Sequence, residues 1–105
     1  MSKGDTLEIT ATEEAGRFRL KGELDLATEP RLTGVLEDAV RQGVPIVLEV
    51  SELSFMDSTG LRTILRAAGA ISAIGALVLV RPSPAVRRVL EISLPEGAPG
   101  LRVED

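Results

Sequence analysis

The sequence predicts one α/β domain over residues 1–105, built on a mixed β-sheet. Three observations carry this. Two stretches near the start alternate polar and apolar residues and are joined by Glu13-Glu14-Ala15-Gly16, the pattern of an antiparallel hairpin. Two later runs, Pro45–Val50 and Ala76–Val80, are short and mostly apolar, as strands inside a parallel sheet are. Around these runs apolar residues recur every three or four positions, the spacing of one helix face. The expected order is β-β-α-β-α-β-α-β, with the later strands parallel and linked by right-handed crossovers.

The first strand spans residues 5–12, with Leu7, Ile9 and Ala11 on one side and Thr6, Glu8, Thr10 and Thr12 on the other. The second spans residues 17–24, with Phe18, Leu20, Gly22 and Leu24 against Arg17, Arg19, Lys21 and Glu23. A helix follows Gly22-Glu23-Leu24-Asp25. Thr28 is its expected N-cap and Pro30 lies in its first turn, where a missing N–H costs nothing. Leu32, Val35, Leu36, Ala39 and Val40 form its buried face, and Gly43 ends it. The third strand is Pro45–Val50, apolar enough to be buried on both faces. Leu61, Ile64, Leu65, Ala68 and Ile71 then mark a helix running to about Ala73 and closed by Gly75. Ala76–Val80 is the fourth strand. Ser83-Pro84 opens a third helix, as an N-cap serine followed by proline at the first helical position. Val86, Val89 and Leu90 supply its buried side. A loop over Pro95–Gly100 leads to a short edge strand at Leu101-Arg102-Val103.

Composition narrows the function. The net charge is -4 and the pI about 4.9, against the basic surface that nucleic acid or an anionic membrane selects. There is no cysteine, hence no disulfide or thiolate metal site, and no histidine, hence no Ser-His-Asp triad. No phosphate-cradling G-x-x-x-x-G-K-[ST] or G-x-G-x-x-G occurs, so neither a nucleotide cofactor nor a metal is expected. The N-terminus has no apolar core of signal-peptide length, so the cytoplasm is the expected compartment. The longest apolar stretch, Ala67–Val80, is broken by Gly69, Ser72 and Gly75 and is too short to span a bilayer.

The stretch with chemistry in it is Met56-Asp57-Ser58-Thr59-Gly60, between a strand and a helix. Asp, Ser and Thr cap helix starts because their oxygens accept from free backbone N–H groups. Ser58 should therefore stand at a helix N-terminus with its hydroxyl near solvent. Phosphotransfer to Asp57, as in a receiver domain, would need a lysine after the last strand. The only lysines are Lys3 and Lys21. Ser58 has no base beside it and is better suited to receive a phosphate from another protein, whose charge the helix N-terminus stabilises.

Three segments, GELDLATEPRL, PIVLEVSELSFMDSTGL and ALVLVRPSPAVRRVLE, together resemble the STAS domains, and among them the anti-sigma factor antagonists of bacterial partner switching. The resemblance implies a single STAS domain whose helices pack mainly on one face of the sheet. It implies a non-enzymatic switch in which Ser58 is phosphorylated by an anti-sigma factor with serine kinase activity and reset by a serine phosphatase. The unphosphorylated form would bind the anti-sigma factor and free the sigma factor. By the same resemblance Asp25 lies near the acceptor on the partner-facing end, and Asp57, Thr59 and Gly60 shape the acceptor loop and share in partner binding. Thr59 stands where many members have serine and is a second candidate acceptor. The alternative is a STAS subunit of a transporter or larger signalling assembly, docking a fixed partner through the same surface.

Overall fold

The computed structural model describes residues 7–105. The expected start of the first strand at Asp5 and Thr6 lies outside them. The elements are β1 (Leu7–Ala11), β2 (Arg17–Leu24), α1 (Glu29–Gln42), β3 (Ile46–Met56), α2 (Ser58–Ala70), β4 (Leu77–Val80), α3 (Pro84–Ser93) and β5 (Leu101–Glu104), in the order the sequence predicts. They form one sheet of order β1-β2-β3-β4-β5. β1 is antiparallel to β2, and the other neighbouring pairs are parallel.

The core lies on one side of this sheet. Leu20 and Leu24 of β2, Ile46, Leu48 and Val50 of β3, and Leu77 and Leu79 of β4 are buried in one cluster with residues of all three helices. Leu32 and Leu36 come from α1, Leu61 and Ile64 from α2, and Val86 and Leu90 from α3. Alternate strand residues share a face, so the three helices cover the same one. Gly43 ends α1 in the left-handed conformation, φ 69°, as its position predicted. Ser83 caps α3 by accepting from the Val86 N–H at 3.2 Å, and its hydroxyl donates to the Leu53 carbonyl, pinning α3 to β3.

β3 is longer than the apolar run suggests, reaching Met56 instead of Val50. Eight residues of β2, Arg17–Leu24, lie opposite ten of β3, Val47–Met56, and two register shifts absorb the surplus. Inward positions on β3 accordingly step from Ile46, Leu48 and Val50 to Leu53 and then Met56, while Ser51, Glu52, Ser54 and Phe55 face outward. This spacing matches neither strand nor helix period, which is why Ser51–Met56 does not read as strand. At the other end of α2 the helix stops at Ala70, not Ala73. The Ser72 hydroxyl donates to the Gly69 carbonyl at 3.0 Å, and the Gly75 N–H reaches back to the Ile71 carbonyl at 3.1 Å, tightening this segment into turns.

Among the described residues no helix covers the sheet's second face. β3 is central, yet of its residues on this face Val47 is only half-buried. Glu49 is 8% exposed because arginines cover it. Arg17 Nε and Nη2 donate to Oε2 at 3.1 and 3.0 Å, Arg81 donates to Oε1, and Arg19 Nε stands 4.0 Å from Oε1. The hydrogen bonds from Arg17 hold the Glu49 carboxyl below its usual pKa of 4.5, helped by the charges of Arg81, Arg17 and Arg19 and opposed by burial. Arg81 sits in the left-handed region at φ 53°, with its N–H on the Glu104 carbonyl at 2.7 Å.

A carboxyl whose pKa drops on folding adds stability above its unfolded value and loses that contribution as pH falls through the lower folded value. Glu49→Gln should therefore lower stability at pH 7 by about 1.5–3 kcal/mol, the range for hydrogen bonds to charged groups. The gap between wild type and variant should stay full above the usual value of 4.5 and shrink as the pH is taken below it. Urea titrations followed by far-UV circular dichroism at a series of pH values measure this. A gap that is constant down to the acid limit would show that Glu49 contributes through packing alone.

Candidate functional site at the start of the second helix

Asp57 leaves β3 in an extended conformation (φ -104°, ψ -178°) and caps α2, its Oδ1 accepting from the Gly60 N–H at 3.0 Å. Its own N–H donates to the Leu24 carbonyl at 3.2 Å, so the end of β2 holds the start of α2. Ser58 is the first residue of the helix and is exposed. Thr59 is half-buried and Gly60 buried. A Cβ at Gly60 would fall 2.5 Å from Leu24 Cγ and 2.8 Å from Leu24 Cδ2, so only glycine lets the helix start seat this closely on β2.

Asp25 follows Leu24 and is half-buried. Its Oδ1 accepts from the N–H groups of Ala27 and Thr28, both at 3.0 Å, and its carbonyl accepts from the Glu29 N–H at 2.8 Å. Asp25 thereby does the capping that the sequence assigns to Thr28. Thr28 occupies the N-cap position but makes no side-chain cap bond. Its backbone is already helical (φ -99°, ψ -18°) and its hydroxyl turns back, donating to the Glu23 carbonyl at 2.8 Å and accepting from the Asp25 N–H at 3.0 Å. Asp25, Asp57, Ser58, Thr59 and Gly60 thus gather at the same end of the sheet, around Leu24.

One polar contact was not legible in the sequence. Glu29 Oε2 accepts from the Thr63 hydroxyl at 2.7 Å and from the Thr33 hydroxyl, tying the first turn of α1 to α2. These bonds, that of Thr33 first, lower the Glu29 pKa against the opposing effect of burial, and the nearby Arg66 charge assists. The four-residue spacing of Glu29 and Thr33 is visible in sequence, but Thr63 joins them only through the packing of two helices.

A groove of about 310 Å³ runs between α1 and α2, with Leu36, Val40, Thr63 and Ala67 among its lining residues; Ser58 is not part of it. Among the described residues no cluster of acidic side chains could hold a metal ion, and no helix is long and apolar enough to cross a membrane. What the Asp57–Gly60 loop offers chemically is an exposed hydroxyl on a fixed helix N-terminus, with a carboxylate immediately before it.

Comparison with known proteins agrees with this arrangement. The STAS domain model matches residues 6–94. The anti-sigma F factor antagonist of Lysinibacillus sphaericus is 34% identical over 85 residues, covering 78% of this chain and 73% of that protein. Among solved structures, an anti-sigma factor antagonist from Mycobacterium paratuberculosis shares the fold with a TM-score of 0.80 at 24% identity, over 97% of this chain and 90% of the other. The anti-sigma factor antagonist SpoIIAA in its unphosphorylated form gives 0.71 at 26% identity, over 92% and 86%. The Bacillus cell fate determinant SpoIIAA in its phosphorylated form gives 0.66 at 25% identity, over 92% and 89%. With the family model spanning most of its length and a relative of this closeness, the chain belongs to the STAS domain family.

Proposed function

We propose that this protein is an anti-sigma factor antagonist switched by phosphorylation of Ser58. The observation that carries the reading is the exposed Ser58 at the first position of α2, beyond its Asp57 cap and fixed to β2 through Gly60 and Leu24. The names of the relatives support it, and so does the existence of SpoIIAA in phosphorylated and unphosphorylated forms. The protein acts as substrate and binding partner, not as catalyst. In the cytoplasm its unphosphorylated form binds an anti-sigma factor with serine kinase activity and so releases the sigma factor. The kinase transfers phosphate to Ser58 and a serine phosphatase removes it. Asp25 and Asp57 border the contact, Thr59 is a minor acceptor, and Gly60 acts indirectly, by holding the loop.

Physical chemistry favours a switch that leaves the fold alone. A phosphate on Ser58 adds about -1.5 to -2 charges at pH 7. It would lie against the free N–H groups of the first turn of α2, which stabilise an anion, while the Asp57 carboxylate opposes it. The two effects offset each other within the domain. Across a closed contact the dianion loses water without gaining a matched partner, and binding weakens.

With purified partner kinase and ATP, the wild type should gain one phosphate, and Ser58→Ala should gain none or only the small fraction that Thr59 takes. The phosphorylated wild type should bind the kinase about a hundredfold more weakly, a loss near 2.7 kcal/mol. Its melting temperature should move by less than about 8 °C, the largest shift that ~1 kcal/mol produces in a domain of this size. Equal modification of Ser58→Ala would remove Ser58 as the acceptor, and undiminished binding after phosphorylation would remove the switch.

Asp25 both caps α1 and carries charge at the partner-facing end, and Asp25→Asn separates the two. Asparagine keeps the oxygen that accepts from Ala27 and Thr28 and loses only the charge. The variant should melt with the wild type and be phosphorylated more slowly. An unchanged rate would confine Asp25 to capping.

A further inference from the structure

Large apolar side chains lie exposed at five described positions: Leu26, Phe55, Ile74, Ile92 and Val103. Single exposed apolar residues are ordinary, so position decides whether they matter. Ile74 follows the end of α2, Ile92 is near the end of α3, and Val103 is on the edge strand β5. Leu26 and Phe55 are different, because both flank the loop that carries Ser58. Phe55 is the penultimate residue of β3, lies opposite Glu23 and faces the side of the sheet without helices, 47% exposed. Leu26 is two residues past Leu24, whose carbonyl holds the Asp57 N–H at 3.2 Å, and is 73% exposed.

Reach allows one contact to include both. A stable protein contact covers about 800 Å² on each partner, a disc of about 16 Å radius. Phe55 is three residues from Ser58, at most about 11 Å of extended chain. Leu26 is tied to the same place through Leu24, whose carbonyl holds the N–H of Asp57, the residue before Ser58. A contact of that size centred on Ser58 has room to take in both.

Resting on the reading of Ser58 as acceptor for a docking kinase, we propose that Leu26 and Phe55 are the apolar anchors of that contact, one on each side of the serine. The kinase surface that meets them is apolar and shaped to take a leucine and an aromatic ring. Buried large side chains of this kind carry most of the energy of a typical contact, while polar neighbours mainly exclude water. Their placement also gives the phosphate its effect. The dianion would arise between two dry contacts, where its lost hydration has no replacement. The anchors and the switch are thus one device, since the patch that gives affinity is the patch that cannot hold a charge.

The test uses the full chain and its purified partner kinase, with affinity read by calorimetry and phosphate on Ser58 by mass spectrometry. Phe55→Ser and Leu26→Ser should each weaken binding of the unphosphorylated protein by about tenfold or more, the size of a moderate hot spot. Leu26→Ser should keep the wild-type melting temperature, and Phe55→Ser, whose ring is about half covered, should stay folded at the binding temperature with a melt lowered by several degrees. Ile92→Ser, an equally exposed apolar residue away from the loop, should leave affinity unchanged. Wild-type affinity in both anchor variants, with Ser58 still phosphorylated in the wild type, would overturn the anchors and leave the acceptor reading standing. Loss of affinity in Ile92→Ser to the same degree would also overturn them, by showing that apolar exposure anywhere on the domain serves. Absence of any phosphate on wild-type Ser58 would remove both readings together.

Discussion

The seat of α2 on the end of β2 is the constraint on which the rest depends. Leu24 fills the space a side chain at position 60 would need, and its carbonyl takes the Asp57 N–H. The same leucine is fully buried in the core, so the loop is joined directly to the core. Asp57 then fixes the first turn from the other side through Gly60. Ser58 is exposed on this frame but is not held on a free loop. The entropy of ordering the Ser58 backbone is therefore lost on folding.

Two kinds of surface serve two ends. On the helix-free face, Glu49 is surrounded by Arg17, Arg19 and Arg81, and its burial depends on charge pairing. At the Ser58 end, the exposed groups are short polar side chains flanked by Leu26 and Phe55. Breaking the first arrangement costs stability, since it leaves arginines and a covered carboxylate unmatched. The exposed members of the second, Ser58 and Leu26, contribute little to the core. Arg81 belongs to the first group even though it follows β4: its left-handed backbone is held by Glu104 behind it and its guanidinium by Glu49.

Most of the architecture was legible because it rests on local pattern. The hairpin alternation, the apolar runs at Pro45–Val50 and Ala76–Val80, the Asp57 and Ser83 caps and the Gly43 stop are each visible within a few residues. The misses share a cause, which is that a distant partner decided them. Thr28 loses its capping role because β2 offers its hydroxyl the Glu23 carbonyl and Asp25 already accepts the N–H groups. β3 extends to Met56 because β2 runs alongside it and two extra residues can be absorbed in the register. Glu29 meets Thr63 only when α1 and α2 pack. The gathering of Asp25 with the Asp57–Gly60 loop follows from the Leu24 bond, and local spacing alone does not contain it.

The strands are unequal, and this sets where the domain opens. β3 has eleven residues and lies between two neighbours, while β5 has four, with a partner on one side only. Three residues of β5 are exposed and Leu101 is half-buried. Opening free energy rises with the apolar contact and protected hydrogen bonding a segment must surrender. The β5 edge is therefore the first part of the sheet to exchange its amide hydrogens with solvent, and the β2–β3 ladder the last. Ser58 stands at the end of that slowest ladder, so fraying at the C-terminal edge stays remote from the start of α2.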